Sequence, residues 1–468
     1  MVRVPKGTLR ASRNRTEAVL SIVLVLLFAT SFVGLAYSYT PPPTPPTPPT
    51  ASIVIGQDNF TASSAGTGPA GIGDSNHIAL DKSGNLWVSD YSQSWVAEFT
   101  QPFSIGEKAS LEEGSSSFST GGCTTGVGDE LCEPAGIAFD QSGNLWASDS
   151  QNGSVKEFKA PFTLGESSSL MLGGYYLSST TLNASTFGAN DLKFDSSGNL
   201  WAVDGGFNRI LEFTPPFTNR MAASLVIGQQ NFTTVSNSNN QSRLNAPDFI
   251  TFDSSGNLWV SDTYNNRVLE FTAPFSNGES ASLVLGQPNY NSVSGNTTQS
   301  SLSFPQGLAF DSHGHLWVAD ESNRRIVEFV PPFSTGMNAT VIIGQTSYFY
   351  STPGTSNSSL TYPEGLAALP NGNLLVDDTG NYRVLLFVDP ASAASSSTTT
   401  TTPTFTFTST STTSSQTQTA TTSTSSVVTA TSESSSSTAV PEFPLQIALA
   451  TAFTLILATA YVFMRRRH

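Results

Sequence analysis

The chain has 468 residues, of which 38% are hydrophobic, and a formal net charge of −15. Between residues 51 and 395 there are 12 Lys and Arg against 32 Asp and Glu, so the basic footprint that neutralises phosphates is missing and nucleic acid is excluded as a partner. Only two cysteines and four histidines occur, which leaves Cys/His metal or redox modules without a set of partners.

In chain order, Arg3, Lys6, Arg10, Arg13 and Arg15 precede an uncharged run from Ala18 to Tyr39. A basic stretch followed by an apolar one makes residues 1–39 an export signal, either cleaved after Ala36 or kept as an anchor. Residues 40–50 are a Pro/Thr linker of polyproline II type.

Residues 51–390 then write one stretch six times. In its clearest copy Phe252-Asp-Ser-Ser-Gly-Asn-Leu-Trp-Val-Ser-Asp262 is followed by Asn266-Arg-Val-Leu-Glu-Phe271 and, after a loop, by Leu283-Val-Leu-Gly-Gln287. The motif Trp falls at Trp87, Trp146, Trp201, Trp259 and Trp317, with Leu375 in the sixth copy, a period of 55 to 59 residues that marks a repeat architecture. Short β-rich runs joined by Gly and Asp turns predict four antiparallel strands per copy, hence an all-β, six-bladed propeller. One fourth-strand motif, Ile53-Val-Ile-Gly-Gln57, precedes the first copy, and the sixth copy ends at Phe387 without one. The N-terminal strand should therefore complete the last blade.

Cys123 and Cys132 lie close together, and in an exported chain such a pair predicts one disulfide. Eight Asn-x-Ser/Thr sequons between Asn59 and Asn357 fit a glycosylated exterior. Residues 391–440 are almost wholly Ser, Thr and Ala, too poor in apolar groups to fold, and form a stalk. In residues 441–468, Leu445 to Met464 carries no charge and Arg465, Arg466 and Arg467 follow it, which predicts a membrane span with its arginines inside. The propeller would then sit on the extracellular side of the cell membrane.

The recurring Asp-x-x-Gly-Asn-Leu-Trp-Val-x-Asp and Asn-x-Arg-Val-x-Glu-Phe patterns resemble the NHL-repeat family of β-propellers. That resemblance implies the fold over about 340 residues; the family includes binding scaffolds, lyases and hydrolases, so it leaves chemistry open. The Pro441-Glu442-Phe443-Pro444 motif, apolar segment and terminal arginines resemble PEF-type C-terminal sorting signals of archaeal surface proteins, which implies cutting and re-attachment by a sortase-like enzyme. A plain membrane anchor remains the alternative.

The repeated Asp90, Asp149, Asp204, Asp262, Asp320 and Asp378 each close a hairpin, and four have an Arg five residues on, which favours a structural pair over a metal site. More informative are the positions that differ between copies. Just before each first strand stand Asn76, Ala135, Asn190, Asp248, Gln306 and Glu364, with His77 and Asp191 beside two of them. At the mouth of a central channel these side chains would form a ligand site, for Ca2+ or another divalent ion among other ligands, or a polar entrance that binds nothing. His313 and His315 share one hairpin turn away from that mouth and at most make a surface metal clip.

The expected role is a cell-surface binding or adhesion scaffold for a glycan, protein or matrix component. The alternatives are a metal-dependent lyase or hydrolase using Asp248, Glu364 and His77, and an envelope component without a discrete ligand.

Overall fold

A computed structural model describes residues 48–114, 130–174 and 182–395. Six four-stranded antiparallel sheets are present, and their first strands contact one another in a closed circle. The sheets are therefore blades around a common axis.

Blade four shows how the repeat codes for its blade. Its strands are Ile250–Phe252, Leu258–Asp262, Arg267–Phe271 and Leu283–Leu285. Asp253 Oδ1 accepts the N–H groups of Ser255 and Asn257 (2.9 Å each), and Gly256 supplies the positive φ of +81° that the hairpin requires. The next reversal is a 3-10 turn, Thr263–Asn265, with Asn266 in the left-handed region.

The ring closes as the repeat count requires. The N-terminal strand Ala51–Ile55 pairs antiparallel with Arg383–Phe387, with Val54 opposite Leu385. First and last segments thus share one sheet, and no blade presents an open edge to its neighbours.

Blades adhere through their tryptophans. The Trp259 ring meets Phe310 and Phe333 of the following blade edge-to-face, with centroids 5.7 and 4.9 Å apart, and Trp87, Trp146 and Trp201 repeat the arrangement. Each of these tryptophans is at most 1% exposed, so they are packing wedges rather than stacking platforms.

The hairpin aspartates are rivets. Arg209, Arg267, Arg325 and Arg383 donate Nε–H to Asp204, Asp262, Asp320 and Asp378 over 2.7, 2.7, 2.7 and 2.8 Å. Asp90 in blade one caps its own turn, accepting the N–H of Gln93 at 3.0 Å, but none of these four aspartates makes a side-chain cap bond to its turn. Instead Asp262 Oδ1 accepts the N–H of Asn245 at 2.7 Å, from the loop that enters the blade. Arg267 meanwhile donates to the carbonyls of Asn239, Asn240 and Arg243 on that loop and of Tyr290 on the loop leaving the blade. One buried ion pair therefore fastens two interblade loops. In blade two, Ser154 takes the Arg position and Lys156, one same-face step along the strand, reaches Asp149 at 2.7 Å.

A short helix, Pro390–Ser395, follows the closing strand, at the point where the stalk was expected to begin. Among the described residues no helix is long and apolar enough to cross a membrane. The export segment, Cys123, the rest of the stalk and the apolar segment 445–464 lie outside the described residues. Cys132 is disulfide-bonded.

Candidate functional site at the mouth of the central channel

A cavity of about 270 Å³ opens where the first strands begin. Asn76, Ala135, Asn190, Asp248, Gln306 and Glu364, one residue from each blade, line it together. The sequence singled out this ring because its members differ between copies while the rest of the repeat does not. Tyr91, Ser150 and Phe249 also line the cavity, and sequence reasoning missed them. Tyr91 and Ser150 follow the hairpin aspartates Asp90 and Asp149 directly, so their position relative to the motif could have found them.

Hydrogen bonds order the mouth. Asn190 Nδ2 donates to Asp248 Oδ1 at 2.8 Å, and Gln306 Nε2 donates to Glu321 Oε2 at 3.1 Å. The Gln306 amide is thereby fixed, and its Oε1 is left buried with no partner. Tyr91 donates its hydroxyl to Glu133 Oε2 at 2.6 Å, which pushes the phenol up to about 12.

The electrostatics are those of crowded acids. Burial pushes the Glu364 carboxyl well above the usual carboxylate range, and the neighbouring charges of Asp377, Asp248, Glu321 and Asp74 push it further. Burial likewise raises Asp248, while the amides of Asn190 and Gln306 pull it back. Asp377 is fully buried on the second strand of blade six. It accepts Ser75 Oγ–H at 2.6 Å through Oδ1, and burial raises it well above its usual range. The mouth therefore offers amide and carboxyl oxygens as acceptors, and burial and acidic neighbours favour the protonated form of Glu364.

His77 and Asp191 were expected at this mouth, and the structure places them elsewhere. Each is the next residue along the chain from a member of the ring and is at most 1% exposed. His77 Nε2 donates to Asp191 Oδ1 at 2.6 Å, and the imidazole stacks on Phe249 with centroids 5.4 Å apart and planes 8° from parallel. Asp191 Oδ2 also accepts the N–H of Ile250 at 2.8 Å. The corresponding residues of the other three blades are Gly136, Gly307 and Gly365. A Cβ on Gly136 would lie 2.5 Å from the Asp191 Cα, so only glycine lets blade two lie this close to blade three. Three side chains and three glycines thus fill the axis beneath the cavity. Burial lowers the His77 pKa, so the ring is neutral and its Nδ1 is left without a partner.

Among the described residues, one trio of His, Cys, Asp or Glu side chains has donor atoms close enough to hold a metal ion, namely Asp311, His315 and Glu328. It lies at the far end of the first strand of blade five, and among the described residues no such trio includes Asp248 or Glu364.

The fold and this mouth define a six-bladed β-propeller carrying NHL repeats, and the NHL repeat model matches residues 244–271 and 302–329. No curated protein matches the sequence. Solved structures similar to it include a streptogramin B lyase, at 14% identity over 66% of this chain and 77% of that one, TM-score 0.39. A virginiamycin B lyase from Staphylococcus aureus matches at 12% identity over 70% and 97%, TM-score 0.38. A putative gluconolactonase matches at 14% identity over 70% and 90%, TM-score 0.42. Likeness at this level concerns the course of the chain and carries no chemistry over.

Proposed function

We propose that the protein is a cell-surface binding module that takes a polyhydroxylated ligand, a glycan, at the channel mouth. The observation that carries this reading is the cavity lined by all six blades, in which the Gln306 Oε1 acceptor is buried and unpartnered. A buried acceptor without a donor costs roughly 1–3 kcal/mol, which a ligand hydroxyl recovers on binding. Asn76, Asn190 and Asp248 add acceptors and amide donors of the kind that orient sugars. Exposed rings in the interblade region, Tyr264, Phe349, Tyr350 and Tyr362, give apolar faces for sugar rings to stack on. The export signal, stalk and C-terminal anchor expected from the sequence fit this role, as does the net charge of −15.

The rival lyase or hydrolase reading would need His77 as acid, base or ligand. Its Nε2 is bound to Asp191 and its ring is stacked on Phe249 below the cavity.

A glycan array probed with the protein, followed by titration of the strongest hit against Gln306→Ala and Asp248→Ala, tests the proposal. Loss of at least tenfold in affinity in both variants is expected. Hits that bind both variants as well as the wild type would remove the mouth as the binding site.

A further inference from the structure

The opening hairpins of blades one, two and four contain the same hydrogen-bond triangle; blade three keeps only the Asn199–Asp195 side of it, blade six has Leu369 in place of the Asp, and blade five departs from it in another way. In blade one Asn85 Nδ2 lies 3.0 Å from Asp81 Oδ2 and 2.8 Å from Glu98 Oε1. Asn144 does the same in blade two, at 2.8 and 3.2 Å, and Asn257 in blade four, at 2.9 and 3.2 Å. An amide nitrogen carries two hydrogens, so it serves both carboxylates at once.

Blade five places His315 at this position. Its Nδ1 lies 3.3 Å from Asp311 Oδ2 and 2.9 Å from Glu328 Oε1. A ring nitrogen has one hydrogen or one lone pair, so it cannot serve two oxygens. The deficit is visible: although His315 Nδ1 and Glu328 Oε1 lie 2.9 Å apart, neither makes a hydrogen bond of acceptable geometry, and Glu328 is only 2% exposed. Its other oxygen is taken by Thr340 Oγ1 at 2.6 Å.

We propose that Asp311, His315 and Glu328, with His313 as a fourth donor, form a site for a divalent transition cation of the Zn2+ class. A cation takes the place of the amide N–H groups that join the two carboxylates in the other blades, since all three donor atoms already lie within 4.8 Å of one another. Ligand-to-ligand edges in a tetrahedral site with bonds of about 2.0–2.1 Å are about 3.3 Å, close to the spacing here. Imidazole and carboxylate together favour Zn2+ over Ca2+, which prefers an all-oxygen shell. His313 lies on the same turn with its ring centroid 5.6 Å from that of His315, and a cavity of about 460 Å³ beside both leaves room for the ion to enter. This site is separate from the channel mouth and does not depend on the function proposed for it.

The repeats themselves supply the control. Blades one to four carry Ser and Asn where blade five has His313 and His315, so His313→Ser/His315→Asn writes the local pattern back into blade five and restores the amide. Tag-free full-length protein is equilibrated with Zn2+ and, separately, with Ca2+ alone, and the bound metal is counted. The wild type should retain one equivalent of Zn2+ and no Ca2+ at this site. The double variant should lose the Zn2+ equivalent while its melting temperature in EDTA is unchanged or higher, and Glu328→Gln should weaken binding at least tenfold. Co2+ in place of Zn2+ should give the intense visible absorption of tetrahedral coordination in the wild type alone. Failure of the wild type to take up an equivalent, retention of the ion by the double variant, or its loss in Asp248→Ala would each overturn the proposal.

Discussion

His77 and Asp191 meet at 2.6 Å although they belong to blades one and three. The pair links blades one and three, and the Asp191 backbone also lies against Gly136 of blade two. Its burial is complete, so removing one partner strands the other without water. His77→Ala should lower unfolding free energy by about 3–5 kcal/mol, as for other buried pairs that are broken from one side. The double variant with Asp191→Ala should cost less than the two single losses added together. Urea denaturation of all three variants checks both statements. The pH dependence has a defined sign. Burial lowers the His77 pKa, and Asp191 is held below its usual range by Lys193 and His77 against the opposing effect of burial. Both groups then bind fewer protons folded than unfolded, so their contribution is lost as pH falls, first through the ordinary histidine range and then through the carboxylate range.

The axis also predicts two unequal glycine substitutions. In Gly136→Ala the new Cβ meets the backbone of Asp191 at 2.5 Å, so the blades must move apart. In Gly143→Ala nothing lies within 4 Å, and only the φ of +87° is strained. The second should cost about 1–2 kcal/mol and the first clearly more, a ranking that thermal melts can read.

Arg267 fastens the loops on either side of blade four through Asp262 and four carbonyls. Arg267→Met keeps the apolar stem and leaves Asp262 buried and unpaired. A loss of about 3–5 kcal/mol is expected. Hydrogen exchange at the Asn245 amide, which donates to Asp262, should accelerate well before global unfolding.

Glu113 occupies the fourth-strand position that is Ile or Leu in the other five blades. It is buried, its oxygens have no partner, and burial with the charges of Glu166 and Glu112 pushes it up to about 8. Below its unfolded pKa both states hold the proton. As pH rises towards 8 the unfolded chain releases a proton that the folded one retains, so stability falls by up to about 1.4 kcal/mol per pH unit. Glu113→Leu should abolish this slope, with its gain in melting temperature larger at pH 8 than at pH 5.

Much of the fold was legible because each repeat encodes its blade locally. Asp253 and Gly256 set the hairpin, alternation sets the buried faces, and the missing fourth strand after Phe387 announces the closure by Ile53 to Ile55. The ring of Asn76, Asn190, Asp248, Gln306 and Glu364 was legible for a related reason, since residues at one register of a repeat must sit at one height around the axis. The fate of His77 and Asp191 was not legible. Neighbours along a strand start point to different faces, so one step in register separates a cavity wall from a buried axial pair. The trio in blade five was half legible: His313 and His315 stand out by type, but Asp311 and Glu328 belong to the common pattern and acquire a new partner only through folding.

By itself, the sequence determined the number of blades, the closure of the ring and the polar belt at its mouth, because period, turn chemistry and hydrophobic alternation act over a few residues. Only the tertiary structure decided which of those polar side chains face the cavity and which seal the axis. That choice depends on contacts between distant blades and on the space that a glycine such as Gly136 leaves between them, and no local pattern carries either.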